Sequence, residues 1–160
     1  MDDTLTVLTV VTALGCGLAA GIFYAFSTAI MTALGRLPAP HGIAAMQSIN
    51  IVVINPLFML AFLGTGLACV VLAVLSAIEW EEPEVFYQLA GSALYVIGTI
   101  LVTMAFNVPR NDALAAVDPA SAAGEDLWRR YLAEWTLWNH VRTAAALAAA
   151  ASLTIAVLEM

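Results

Sequence analysis

The second apolar stretch of the chain runs from Leu57 to Ile78 and reads LFMLAFLGTGLACVVLAVLSAI. It contains no charged residue and supplies the ~20 residues that an α-helix needs to cross a bilayer. Three other long apolar stretches lie at 5–34, 85–106 and 138–158. An unpaired backbone N–H or C=O group is costly in lipid, so each stretch is predicted to be a helix. The predicted fold class is therefore all-α, an integral membrane four-helix bundle.

The composition agrees with a membrane protein. Of the 160 residues, 62% are hydrophobic and 11% are charged, and the mean hydropathy is +0.93. Soluble domains are about 45–50% apolar and about 25% charged, so a typical soluble enzyme is excluded. The net charge of −7 and the absence of lysine exclude a nucleic-acid partner, which requires a basic surface. We expect one transmembrane domain over 1–160, with spans at approximately 5–34, 43–78, 85–107 and 128–158.

Proline-containing segments separate the apolar stretches and mark the predicted turns, at 35–41, 79–84 and 107–124. The short first and second connections make neighbouring helices antiparallel, which predicts an up-down-up-down bundle. The second helical segment begins near Gly42 and is longer than the bilayer is thick. Because Pro56 lacks the N–H group that a helix interior needs, we expect a kink there.

The distribution of arginines predicts the orientation in the membrane. No arginine lies on the side of the termini. Four lie on the side of the first and third connections: Arg36, Arg110, Arg129 and Arg130. Cytoplasmic loops are enriched in arginine and lysine. We therefore expect a multi-pass protein of the inner or plasma membrane, surrounded by membrane lipid, with both termini outside.

Polar residues at membrane depth mark the candidate site. Three predicted helices bring polar side chains to one level near the cytoplasmic leaflet: Asn50, Asn55, Asn107, Asn139, His140 and Arg142. Ionisable groups in a membrane normally face a bundle interior or a wet cavity. One face of the last helix combines aromatic and polar residues, namely Tyr131, Trp135, Trp138, Asn139 and Arg142. We expect Asn50, Asn107, Asn139 and Arg142 to converge, with His140 at the edge of the cluster.

Structural roles are the alternatives for these residues. Trp135 and Trp138 fit an interfacial aromatic belt equally well. Arg142 could extend to the interface, the asparagines could join helices, and Asn107 could cap the third helix. The sequence has no metal-ligand spacing and we predict no metal site, while a haem held by His41 or His140 stays open as an alternative.

Small residues recur every four positions along the first helix: Ala13, Gly17, Gly21, Ala25, Ala29 and Ala33. Such a face lets helix backbones approach closely. We predict that it packs inside the bundle. The alternative is a homo-oligomer through the small-residue helix faces, to which the alanine-rich tract at 144–151 would contribute a second face.

Three segments together resemble a known family. They are AMQSIN at 45–50 with NPLF at 55–58, NVPRND at 107–112, and Trp135 with WNHVRT at 138–143. On these residues the chain resembles the small four-helix membrane proteins grouped with fungal anthrone oxygenases. The resemblance implies oxidation by O2 of an activated methylene group in a tricyclic phenolic anthrone, without a conventional redox cofactor.

The resemblance also suggests roles for individual residues. It implies that His140 is the base, with Arg142, Asn139 and Asn50 as donors to the enolate and with Trp135 and Trp138 as flat walls. Asn55, Asn107 and Asn111 are further candidates for substrate binding. Two functions follow from the sequence. One is an oxygenase-like enzyme for a lipophilic aromatic or quinoid compound, and the other is a non-catalytic membrane subunit or binding protein for lipid, quinone or haem.

Overall fold

The computed structural model describes residues 3–78, 80 and 82–160, which form five helices. Helix α1 covers Asp3–Ala25 and continues without interruption through Phe26–Ile30 and Met31–Gly35. Helices α2 and α3 cover Ala39–Val52 and Pro56–Ile78. Helix α4 covers Glu84–Ala115, and α5 covers Ala122–Glu159.

Four of these helices, α1, α3, α4 and α5, are long and apolar enough to cross a membrane. Helix α1 packs between α3 and α5, and α4 packs against the same two helices from the opposite corner. The start of α4 meets the end of α3 through Gln88 and Ser76, whereas Tyr95, further along α4, reaches Phe62 near the start of α3. Neighbouring helices are thus antiparallel, and the predicted up-down-up-down bundle is confirmed.

The outer surface of the bundle is suited to lipid. Between 22% and 33% of the residues in the most apolar window of each long helix are buried inside the protein. Many of the other apolar side chains, such as Leu14, Leu60 and Ile97, are exposed. Water would be a poor solvent for so much apolar surface. The fold and the composition therefore agree on a membrane environment.

The second predicted segment is divided into α2 and α3 by a break at 53–55, where the proline predicted a kink. Asn55 caps the new helix. Its Oδ1 accepts the Phe58 N–H at 3.0 Å, and its Nδ2 donates to the Val52 carbonyl at 3.0 Å. Helix α2 lies across the ends of the other helices and packs on α1, α4 and α5. We call this side of the molecule the α2 end.

The predicted start of the third connection at 107 is wrong, because α4 continues through Pro109 as far as Ala115. The turn before the proline is a widened π-helical turn at Thr103–Asn107, in which the Val108 N–H bonds to the Thr103 carbonyl. This change of register accommodates the proline ring inside a continuous helix. The alternative that Asn107 caps the third helix is wrong for the same reason.

Further π-helical turns occur at Phe26–Ile30 in α1 and at Val96–Leu101 in α4. The turns in α1 and α4 lie on either side of one region of α5. Ser27 of α1 is 3.1 Å from Thr143 of α5, and Thr103 of α4 is 3.2 Å from Arg142. Such turns are frequent at functional sites.

The buried apolar residues form two clusters. One lies within the four long helices and includes Cys16, Phe62, Leu72, Tyr95 and Leu153. The other lies at the α2 end, where α2 completes the packing: Met31, Leu34, Ile43, Met46, Leu114, Trp128, Tyr131 and Trp135. Helix α2 thus covers aromatic residues of α5 that would otherwise face solvent or lipid.

The prediction that the small-residue face of α1 packs inside the bundle is wrong. Gly17 and Gly21 are exposed, and a Cβ atom added to either would meet nothing within 4 Å. Helix α1 instead packs through its Thr9, Cys16 and Phe23 face. Because α1 is apolar all round, hydrophobic periodicity could not distinguish the two faces. The predicted homo-oligomer through small-residue faces stays a prediction.

One close helix contact occurs instead at Gly91 of α4, against α5. A Cβ there would lie 2.7 Å from Leu153 Cγ and 3.1 Å from the Ala149 carbonyl oxygen. Gly91→Ala is expected to lower stability by about 1–3 kcal/mol relative to Gly17→Ala, because overpacking adds to one variant only. Thermal unfolding in detergent measures this difference. Equal stability of the two variants would show that α4 and α5 can separate at little cost.

Candidate functional site

Arg142 lies inside the bundle at the level of the π-helical turns, with 5% of its surface exposed. Its Nη2 donates to Asn139 Oδ1 at 2.7 Å, and its Nη1 donates to Thr103 Oγ1 at 3.2 Å. The guanidinium stands over the Phe23 ring at 4.3 Å and over the Trp135 ring at 5.1 Å. Two aromatic rings are therefore within cation–π distance of the guanidinium. The alternative that Arg142 extends to the interface is wrong.

The charge of Arg142 has no carboxylate partner among the residues that the structure describes. The ion pairs found there join Arg110 to Glu134 and Arg129 to Asp126. The Nε atom of Arg142 is also buried and lacks a hydrogen-bond partner within this part of the chain. A buried cation that is not neutralised is costly in a membrane protein and favours a nearby anion.

Asn139 connects the Arg142 centre to α1 and is fully buried. Its Nδ2 donates to the Phe23 carbonyl and to Ser27 Oγ, each at 2.7 Å, while its Oδ1 accepts from Arg142. Every polar atom of the amide is thus used. Asn139 fixes the guanidinium relative to α1 and α5.

An aromatic column of Trp128, Tyr131 and Trp135 leads from Arg142 toward the α2 end. The Trp128 and Tyr131 rings are stacked at 5.6 Å, and the Tyr131 and Trp135 rings at 5.9 Å. Asn111 Oδ1 accepts hydrogen bonds from the Tyr131 hydroxyl and from Trp135 Nε1, both at 2.8 Å. Trp135 is 5% exposed, so its assignment to an interfacial belt is wrong.

Asn107 and Asn50 also lie along the aromatic column. The Nδ2 of Asn107 donates to the Trp135 carbonyl at 3.2 Å, and its buried Oδ1 has no partner in the described part of the chain. Asn50 of α2 lies beside the Tyr131 hydroxyl. The four residues expected to converge therefore do not form one hydrogen-bonded group. Asn139 and Arg142 are bonded directly, whereas Asn107 bonds to the Trp135 backbone and Asn50 lies beside the Tyr131 hydroxyl.

A cavity of about 220 Å³ lies beside Tyr131, between α4 and α5. Its lining combines charged, aromatic and apolar residues: Pro109, Arg110, Ala113, Leu127, Arg130, Tyr131 and Glu134. Arg110 donates to Glu134 Oε2 from Nε at 3.1 Å and from Nη2 at 2.8 Å. We call this space the α4–α5 cavity. It touches the aromatic column through Tyr131, two rings away from Arg142.

Comparison with known proteins identifies the family. The sequence model of the family described as anthrone oxygenase matches residues 58–152, which is more than half of the chain. The chain belongs to the anthrone oxygenase family. No curated protein and no solved structure matches it. The match includes the segments at 107–112 and 138–143, whereas the segment at 45–50 lies outside it.

The structure separates the residues that the resemblance to anthrone oxygenases suggested. Arg142, Asn139, Asn107, Asn111 and Trp135 lie on or beside the aromatic column. The other candidates lie elsewhere. His140 is exposed and is not brought to Arg142, and Asn55 is the exposed cap of α3. Trp138 stacks on Phe106 at 3.5 Å between ring centroids, outside the column.

Several contributors to this part of the anthrone oxygenase fold were not singled out from the sequence. Phe23 covers one face of Arg142, while Ser27 and Thr103 bind Asn139 and Arg142 respectively. Ser27 was detectable in principle, because it is a polar residue in a long apolar run. Phe23 carried no signal, since one more aromatic residue in a transmembrane helix is ordinary.

Proposed function

We propose that this member of the anthrone oxygenase family uses O2 to oxidise an activated methylene group of a lipophilic aromatic compound. The observation that carries the proposal is the buried Arg142 guanidinium, which has no carboxylate partner in the described residues. It lies at one end of an aromatic column whose middle ring, Tyr131, lines a cavity. Family membership supports the reaction class, and the four apolar helices suit a substrate dissolved in lipid.

The proposed reaction needs a proton acceptor, a stabilised enolate and O2. A base removes one proton from the methylene carbon, and the enolate transfers an electron to O2. Recombination forms a C–O bond and, after protonation, a hydroperoxide. Loss of the second C–H proton and cleavage of the O–O bond then give a ketone and one water molecule. O2 is the oxidant and the methylene carbon is oxidised, so the proposal requires no redox cofactor.

Arg142 favours the anionic intermediate through its electric field. The steps from its guanidinium to the Trp135 ring and from there to the Tyr131 ring are 5.1 Å and 5.9 Å. Two unit charges about 11 Å apart attract by about 1.5 kcal/mol at an effective dielectric constant of about 20. Such an attraction favours an enolate bound beside Tyr131 roughly tenfold over a neutral ketone.

A non-catalytic subunit or binding protein for lipid, quinone or haem is the second candidate. The observation that favours it is the closed Arg142 centre, whose Nη atoms are hydrogen-bonded and which lies against the Phe23 and Trp135 rings. Such an arrangement is also expected of a polar group whose role is to hold the helices of a bundle together. The two candidates differ in turnover, because a binding protein retains its ligand unchanged.

The experiment that separates them uses purified protein and a panel of anthrones. An oxygen electrode records O2 consumption, and mass spectrometry detects a product with the methylene group converted to a ketone. We expect O2 consumption and ketone formation to be faster with the protein than without it. A mass-spectrometric and optical inventory of the purified protein is run in parallel. A retained haem or quinone together with no O2 consumption would favour the binding protein and contradict the proposed reaction.

The orientation is proposed from the arginines at the α2 end. Single cysteines at the exposed positions Ala120 and Glu82 report opposite ends of the bundle, while the native Cys16 and Cys69 are buried. We expect an impermeant thiol reagent to reach Ala120→Cys from the cytoplasm and Glu82→Cys from outside. Cytoplasmic labelling of Glu82→Cys would contradict the orientation with both termini outside.

A further inference from the structure

We infer that the α4–α5 cavity binds the substrate and that Glu134 accepts the proton from its methylene carbon. This inference rests on the proposed oxidation and identifies the base and the substrate-binding site of that reaction. The cavity is lined by a carboxylate, two guanidinium groups and an aromatic side chain. They include what removal of a proton from carbon requires, namely a base and cations for the enolate oxygen.

Glu134 is suitably placed to act as the base. Its contacts with Arg110 both involve Oε2, which leaves Oε1 without an ion-pair contact among the described residues. The side chain of Glu134 is half-exposed and lines the cavity, so a bound molecule can reach it. Carboxylates remove protons next to a carbonyl group where donors stabilise the enolate. His140, the base suggested by the family resemblance, does not line this cavity.

The cations of the cavity suit an enolate oxygen. Arg110 is held by Glu134 and also donates to the Phe106 carbonyl at 2.8 Å, so its position is fixed from two sides. Arg130 forms no ion pair within the described part of the chain. With one glutamate and two arginines the lining carries a formal charge of +1, which favours an anion.

The shape of the lining indicates the class of substrate. Tyr131 is held by Asn111 and by stacking against Trp128 and Trp135, so the edge of its ring that lines the cavity is fixed in place. Pro109, Ala113 and Leu127 supply the apolar surface. The substrate that fits this lining is a planar aromatic compound with an enolisable carbonyl group. Its rings contact Tyr131 and the apolar side chains, and its oxygen lies toward the arginines.

In the proposed reaction Glu134 acts first as a base, then as an acid and then as a base again. The carboxylate takes a proton from the methylene carbon and becomes a carboxylic acid, and the electron pair of the C–H bond enters the enolate. After O2 has added to the carbon, the carboxylic acid returns this proton to the peroxide oxygen. The carboxylate then removes the second C–H proton as the O–O bond breaks, and that proton leaves with hydroxide as water.

Anaerobic hydrogen exchange tests the proton transfer apart from the oxidation. An anthrone is incubated with protein in D2O without O2, and NMR follows the loss of its methylene protons above the rate without protein. We expect Glu134→Gln to lower this rate by about 10²- to 10⁴-fold. The variant should also lose O2 consumption, while substrate binding changes little because the amide keeps the shape of the side chain.

Two variants provide matched controls on the same helix. Asp126 is an exposed carboxylate paired with Arg129, but it does not line the cavity, so Asp126→Asn should keep the wild-type exchange rate. His140→Ala should keep it as well. Similar melting temperatures of all three variants would show that they are folded. If Glu134→Gln exchanges as fast as wild type, or His140→Ala loses exchange, the inference is overturned.

The outcomes also separate this inference from the proposed function. If wild type consumes O2 and forms the ketone while Glu134→Gln does the same, the oxidation stands and Glu134 is not its base. If wild type exchanges the methylene protons through Glu134 but consumes no O2, the inference stands and the oxidation is wrong. Absence of both activities in wild type would overturn both.

Discussion

Replacing Asn139 with leucine is expected to lower the stability of the bundle by about 2–4 kcal/mol. The change removes the hydrogen bonds from Nδ2 to the Phe23 carbonyl and Ser27, and the bond that Oδ1 accepts from Arg142. Hydrogen bonds between membrane helices contribute ~0.6 kcal/mol each on average. A buried guanidinium donor without a partner adds about 1–3 kcal/mol to this loss.

The neighbouring His140 provides the control for this prediction, because its side chain is exposed. His140→Leu is expected to change the free energy of unfolding by at most about 0.5 kcal/mol. Unfolding of both variants is followed in detergent micelles with increasing denaturing detergent. If Asn139→Leu were as stable as His140→Leu, Asn139 would not be what holds α1 to α5 at this level.

Much of the fold could be predicted because membrane helices have strong local signals. Apolar stretches as long as a bilayer is thick indicated the number of spanning helices, and Pro56 located the break between α2 and α3. The packing faces could not be predicted. In helix α1 the apolar surface continues around the whole helix, so nothing local distinguished the Gly17 face from the Cys16 face.

The part of the candidate site that lies on a single helix could be predicted. Asn139 and Arg142 are three residues apart, so an α-helix brings their side chains together whatever surrounds them. The cavity was not predictable, because it depends on the path of α4. Pro109 suggested that the helix ended before Arg110. The π-helical turn at Thr103–Asn107 instead carries α4 past the proline and brings Arg110 to Glu134.

The closed Arg142 centre and the open cavity have different parts in the proposed reaction. Arg142 is too enclosed to bind a substrate directly, since 5% of its surface is exposed, both Nη atoms are hydrogen-bonded and two aromatic rings lie against it. The α4–α5 cavity has room and contains a carboxylate. The cavity therefore holds the reacting atoms, while Arg142 contributes a fixed positive charge behind Tyr131 and Trp135. Only the charge of Arg142 should matter for the rate. A carboxylate that neutralises this charge should therefore slow the reaction.

Thr103→Asp is expected to lower kcat/KM for O2 consumption by roughly tenfold, the effect of the estimated 1.5 kcal/mol attraction. Thr103 Oγ1 lies 3.2 Å from Arg142 Nη1, so an aspartate there can pair with the guanidinium and neutralise its field. Thr103→Asn is the matched control, because asparagine has the same shape and no charge. It should retain most of the activity.

The same pair of variants also distinguishes a loss of charge from a loss of structure. An aspartate paired with Arg142 supplies the missing carboxylate, so Thr103→Asp should unfold at the same or a higher denaturant concentration than Thr103→Asn. Lower activity together with undiminished stability is the expected signature of a charge kept for function. If Thr103→Asp were as active as Thr103→Asn while its aspartate pairs with Arg142, the field of the buried guanidinium would have no part in the reaction.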